Sequence, residues 1–213
     1  MLERTEEDCP VPRISEQDMA QTRRRIVDAA SPRFRTDGID AIGIAALMKD
    51  AGMTHGGFYN HFASKDALAV AVFEDAFATS LATLARATDE ADPERPSLAE
   101  TVDAYLSPGH RDMPGGGCPS AALVTDAGRH GPAIQAAYAE GVNGYIAGFD
   151  AAQQLEATER GEALDPEAAR RRSIALLSEI VGAIVLSRAI RLVDPDLSDE
   201  ILAVNRQRHH QEH

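Results

Sequence analysis

Apolar residues recur at intervals of three and four along nearly the whole chain, and no segment sustains the two-residue alternation of a half-buried strand. The pattern predicts an all-α protein. A first helix is expected near residues 18–36, with Ile26, Ala30 and Phe34 on one face and Gly38 just past its end as C-cap. A short helix follows over about 44–51, carrying Ile44, Leu47, Met48 and Ala51. Gly52 then turns the chain, and Thr54 is placed to cap a second short helix whose Phe58 and Phe62 stand four apart. Ser64 caps a long helix with Phe73, Phe77, Leu81 and Leu84 in one stripe.

Beyond it, TDEADPERPS reads as a linker, 97–107 as a helix, and SPGHRDMPGGG as a loop of breakers and permissive residues. Helices are then expected over 118–129, 132–158, 165–192 and 197–208. The segment SIALLSEIVGAIVLSRAI, 173–190, holds only Glu179 and Arg188 as charges. Too short and interrupted to span a membrane, it is expected as a core helix that also meets a second subunit, with Gly182 and Ala183 permitting close approach. With Leu197, Ile201 and Val204 of the last helix it would build a four-helix interface about a two-fold axis, against the alternative of a core helix in a monomer.

Composition adds a division of labour. The 213 residues suit a small domain plus a medium one, and the formal charge of −13 argues at first against nucleic acid. Residues 20–65, however, hold seven basic side chains against four acidic ones, whereas residues 76–213 hold twelve arginines against twenty-one acids. The acidity lies outside the N-terminal module. The expected organisation is a disordered tail over 1–18, a helix-turn-helix domain over 19–66 and a larger helical domain over 67–213. The N-terminus has neither a basic nor an apolar leader region, so a cytoplasmic protein without membrane attachment is expected.

The chemistry concentrates in AGMTHGGFYNHFASKDAL, residues 51–68. Burying Leu47, Met48, Phe58 and Phe62 leaves Thr54, His55, Gly56, Tyr59 and Asn60 on a polar face free of acids, as a DNA-reading helix requires. Gly56 and Gly57 cost helix propensity, and close approach to DNA is a physical reason for them. A helical hairpin with a merely solvated face is the plainer alternative.

The stretch RRRIVDAASPRFRTDGIDAIGIAALMKDAGMTHGGFYNHFASKDAL, residues 23–68, resembles the N-terminal DNA-binding domain of the TetR/AcrR family of bacterial transcriptional regulators. The resemblance implies a dimeric regulator, a repressor in expectation, that holds a pseudo-palindromic double-stranded DNA operator and is released by a small-molecule effector in its C-terminal domain. It places Thr54, His55 and Gly56 at base edges and nearby phosphates, and Tyr59, Asn60, His61 and Lys65 on the same interface, with Tyr59, His61 and Lys65 toward phosphate. Lys65 as a point charge and Tyr59 as a rigid donor suit those partners independently. Three residues depart from the family pattern. Pro32 interrupts the first helix and should kink it, Arg33 stands where an apolar residue is more usual, and Gly43 replaces the usual capping Ser or Thr.

Cys118 is the candidate outside this module. It would open a helix, where the dipole favours thiolate, and some family members that sense electrophiles or oxidants are similar here; a small packing residue is the alternative. Tyr105, Met113, Tyr138, Tyr145 and Phe149 are candidates to line an effector pocket, or equally core. His209, His210 and His213 read as a frayed tail rather than a metal site, and no cofactor motif appears. Cys9 is not expected to pair with Cys118. Two other classes remain as alternatives. A cysteine enzyme using Cys118, Asp126 and His130 is disfavoured because the thiol would lie about two helical turns from the other two. A DNA-independent helical adaptor is disfavoured by the acid-free polar face.

Overall fold

The computed structural model describes residues 15–89 and 91–211, and among these every regular element is helical. Cys9 and His213 lie outside them. Helix α1, Glu16–Asp37, starts two residues earlier than expected because Ser15 and Asp18 form a reciprocal capping box. It buries Ile26, Val27, Ala30 and Phe34, runs unbroken through Pro32, and stops at Gly38, whose φ of 88° suits a residue without Cβ. Arg33 is exposed and pairs with Asp37 at 3.1 Å, so its charge costs the core nothing. Helix α2, Ile44–Asp50, begins at Gly43 with no side-chain cap, and Gly52 makes the turn with φ 71°.

The next element corrects the expectation. His55–Asn60 is a 3₁₀ helix rather than an α-helix, and Thr54 sits at its N-cap position without a side-chain hydrogen bond. Six residues with two adjacent glycines have little α propensity, and the tighter helix is the form that short segments adopt. Phe58 and Phe62 still anchor it, fully or nearly buried and stacked at 5.8 Å.

Ser64 accepts from the Ala67 N–H at 3.1 Å and starts α3, Lys65–Leu84, which continues as a 3₁₀ turn to Thr88. Then come α4, Leu98–Tyr105, with a Ser97–Glu100 capping box, and α5, Pro108–Asp112. The latter lies inside the segment expected as loop: Ser107 caps it and Pro108 pre-sets its first turn, which suffices for five residues. Helices α6 (Pro119–Arg129), α7 (Pro132–Glu159), α8 (Pro166–Ile190) and α9 (Pro195–Gln211) complete the fold.

Packing explains several glycines. α3 lies along α7, and Cβ atoms on Gly141, Gly144 and Gly148 would come within 2.2 Å of Phe77, 2.6 Å of Leu81 and 2.6 Å of Leu84. The apolar stripe of α3 therefore sits in a groove cut by the missing side chains of α7. By length and composition alone, Lys65–Thr88 and Pro166–Ile190 could each cross a membrane, with mean hydropathies of 1.5 and 1.8. The 25-residue α8 lies within the 165–192 expected for it, and both helices bury residues in the core that runs from Ile26 to Leu202.

Candidate nucleic-acid interface and internal cavity

The N-terminal helices place Thr54, His55, Gly56, Tyr59 and Asn60 together on an exposed face, Tyr59 being 61% accessible. His61 and Lys65 are half-buried at its edge, Lys65 in the first turn of α3. The support beneath is specific. The Arg23 guanidinium lies 4.1 Å from the Phe62 ring centroid and donates to the His61 carbonyl at 3.2 Å, and Arg25 donates to the Ala51 carbonyl at 2.8 Å. Phe58 meets the Tyr59 ring edge-on at 5.2 Å. A Cβ on Gly56 would meet no atom within 4 Å, and its φ is not positive, so nothing inside the protein demands glycine there. The arrangement is a compact polar surface backed by an apolar wedge, with fixed donors and a cation at one end.

A cavity of ≈ 590 Å³ opens between α3, α4, α6, α7 and α8. Tyr105, Tyr145, Phe149 and Cys118 line it, joined by Leu84, Val102, Leu177 and Ile180, by Thr79 and Ser80, and by Arg35 from α1. Of the other two residues expected there, Met113 is 65% exposed, and Tyr138 is turned toward Phe73 and Phe77 with its hydroxyl donating to the Ser120 carbonyl at 3.0 Å. Neither lines the cavity. Residue type had suggested both, but Tyr138 is turned away by its phase on α7, and Met113 lies just past the end of α5 and is exposed. Burial holds the Tyr138 phenol up at about 12.

Cys118 caps α6 from a buried position. Its sulfur lies 3.3 Å from the Tyr145 hydroxyl, which itself donates to Ser80 Oγ at 2.6 Å; the thiol is therefore the donor to Tyr145. Burial, then the neighbouring Cys118, pushes the Tyr145 phenol well above its ordinary value. The Cys118 N–H donates to His110 Nε2 at 3.0 Å, while His110 Nδ1 faces the Tyr105 carbonyl at 2.8 Å. An acceptor at Nε2 and a carbonyl at Nδ1 together require the neutral, Nδ1-protonated imidazole. Burial agrees, lowering the His110 pKa. His110, Arg35 and Ser80 carried no signal in the sequence, because each reaches the cavity from a different helix or turn.

The residues considered for a cysteine enzyme are not gathered. Asp126 accepts the Ile39 N–H at 2.9 Å, and His130 stands between Asp40 at 3.7 Å and Asp66 at 3.8 Å, both in the N-terminal module. At the C-terminus, His209 is buried and His210 binds Asp103 at 3.0 Å, so α9 is ordered helix where fraying was expected. Among the described residues no cluster of three metal-ligating side chains occurs.

The sequence model for bacterial regulatory proteins of the tetR family matches residues 26–72. The A-factor receptor protein of Streptomyces griseus is 41% identical over 59 residues, 28% of this chain and 21% of that protein. An HTH-type transcriptional repressor of Mycobacterium tuberculosis, Rv1474c, is 38% identical over 58 residues, 27% of this chain and 31% of that protein. These matches thus span less than a third of either curated relative. In structure, the reduced form of Escherichia coli NemR superimposes with a TM-score of 0.72 at 20% identity, over 90% of this chain and 97% of that one. The polar face, the turn at Gly52 and the α3 cap all lie inside the matched segment, so residues 26–72 are similar to the N-terminal segment of tetR-family regulatory proteins, and the chain as a whole shares the fold of NemR.

Proposed function

We propose that this protein is a dimeric, DNA-binding transcriptional repressor that releases a pseudo-palindromic operator when a small molecule occupies its internal cavity. The observation that carries the reading is α3: one end presents Lys65 beside the exposed polar face, and the other lines the cavity with Ala76, Thr79, Ser80, Thr83 and Leu84. A single rigid helix thus joins the two sites. Thr54, His55 and Gly56 approach base edges, while Tyr59, Asn60, His61 and Lys65 hold phosphates and fix register.

Two copies present two such faces about one DNA turn apart, roughly 34–36 Å. The second copy packs on α8 and α9, where Ile174, Leu186, Leu197 and Val204 are exposed apolar residues and Gly182 has open space beside it. An effector that binds better to a differently spaced dimer weakens DNA binding, and a coupling of about 1–3 kcal/mol changes affinity 5–150-fold. The likeness to a transcriptional repressor over the N-terminal segment supports the direction of control.

A thiol-reactive effector is a second reading, favoured by the place of Cys118 on the cavity wall. The test is a mobility shift with the full-length protein and DNA from upstream of its own gene, with and without diamide. A retarded band is expected. Release by diamide in the wild type but not in Cys118→Ser establishes the thiol route, release by neither leaves a non-covalent effector, and no band on any neighbouring promoter overturns the repressor reading.

A further inference from the structure

The charge around the cavity opposes the charge of the molecule. In a chain of net charge −13, the ionisable cavity residues apart from Cys, His and Tyr are Arg35, Arg86 and Glu100. The Glu100 carboxylate is committed to its own helix start, accepting from the Ser97 N–H at 2.8 Å and the Ser97 hydroxyl at 2.9 Å. Arg86 stands 3.9 Å from Asp92. Arg35 is different: its Nε and Nη2 donate to the Ser31 carbonyl and hydroxyl, its Nη1 to the Gly117 carbonyl at 3.0 Å, and no carboxylate lies within ion-pair distance among the described residues. Two of its five N–H groups remain available. Its hydrogen-bond partners are all neutral, and the acid whose charge bears on it, Asp75, is itself paired with Arg24.

Two neighbouring groups repeat the deficit. The Tyr105 ring lines the cavity, and its hydroxyl is buried without a hydrogen-bond partner; Cys118 stands close enough to bear on its acidity but supplies no bond of normal geometry. Arg188 on α8 donates through Nε to the Arg111 carbonyl at 2.9 Å, while its buried Nη2 has no partner. Tyr105 on the lining and Arg188 near it thus each leave a hydrogen-bond donor unmet. Leu84, Val102, Phe149, Leu177 and Ile180 supply an apolar part of the lining.

We propose that the cavity takes a small amphipathic monocarboxylic acid, its carboxylate held by the spare N–H groups of Arg35 and its apolar body lying along Leu84, Val102, Phe149, Leu177 and Ile180. Tyr105 donates the second hydrogen bond once its ring turns toward the ligand, a side-chain adjustment common on binding. Arg35, a guanidinium fork with no carboxylate at ion-pair distance among the described residues, suits one carboxylate, while the other arginine of the lining, Arg86, already stands beside Asp92. The volume lies within the range of about 300–1,000 Å³ usual for small-molecule sites. The proposal rests on the regulatory reading only in making this acid the effector.

The test is calorimetric titration of the full-length protein with hexanoate, decanoate, trans-cinnamate and 4-phenylbutyrate, each beside its primary amide. At least one acid is expected to bind at least about ten-fold more tightly than its amide, since hydrogen bonds to charged groups exceed neutral ones by that order. Arg35→Gln should lose about ten-fold or more of that affinity, and Arg35→Lys should retain part of it. Because Arg35 also holds Gly117, Tyr105→Phe supplies the independent variant: it breaks no protein hydrogen bond, so its melting temperature should hold while acid affinity falls. Absence of saturable binding by every acid, or equal binding of acids and amides, overturns the proposal. An acid that binds without releasing the operator overturns only its role as effector, and failure of the apoprotein to bind any operator overturns only the repressor reading.

Discussion

Individual side chains at the DNA face divide into those the fold needs and those it does not. Gly56→Ala should leave the melting temperature unchanged, because its Cβ meets open space, yet weaken operator binding measurably in a mobility shift. Lys65→Ala should reduce affinity for all DNA sequences alike and lower the slope of log K against log salt by about one. His110 yields a prediction about pH. Burial lowers its folded pKa below the ordinary 6.5, so the unfolded chain binds the proton more readily. Stability from the neutral ring is then complete above about 6.5 and is lost as pH falls from there toward the folded pKa. Thermal melts from pH 7.5 to 5.5 should show this loss, and His110→Asn should flatten it. The exposed polar face proposed for DNA was legible as a surface because all its residues lie within eighteen consecutive positions of one motif. The cavity was legible only in part: Tyr105, Tyr145, Phe149 and Cys118 announce themselves by type, whereas Arg35 stands eighty-two residues from its partner Gly117, and no local pattern records such a contact.

At the level of elements, boundaries followed the caps. Ser15, Gly38, Gly43 and Ser64 sit where the chain changes direction, and the helices between them were readable from spacing. Two elements escaped. The 3₁₀ form of His55–Asn60 follows from shortness and glycine content, which periodicity does not weigh, and α5 hides among residues that individually signal a loop. The α3–α7 contact was half visible, as an apolar stripe on α3 with its glycine groove unnoticed on α7. Gly144→Ala would bring a Cβ within 2.6 Å of Leu81 and should cost about 1–3 kcal/mol, seen as a fall in melting temperature. Gly141→Ala, against the Phe77 ring, should cost more. Gly131→Ala, with nothing within 4 Å of its Cβ, is the control expected to melt as the wild type does.

For the whole molecule, the proposed dimer on the exposed apolar residues of α8 and α9 predicts that pairing and DNA binding fail together. Leu186→Glu with Val204→Glu should convert the protein to a folded monomer in analytical ultracentrifugation, with helical circular dichroism retained and operator affinity lost. A dimer that survives both changes would place the interface elsewhere. Two hydrogen bonds cross the division expected at residue 66. Arg35 of the first helix reaches the Gly117 carbonyl on the cavity wall, and the buried Ile39 turns its N–H to Asp126 on α6. The DNA-reading end thus borrows two of its fastenings from the other domain, and its modularity is incomplete. A chimera that joins residues 1–66 to the body of another regulator would inherit the reading head but leave the Ile39 amide without its acceptor and Arg35 without its carbonyl. Such a hybrid should bind DNA yet answer poorly to its new inducer, until a carboxylate matching Asp126 and a backbone turn matching Gly117 are transplanted with it.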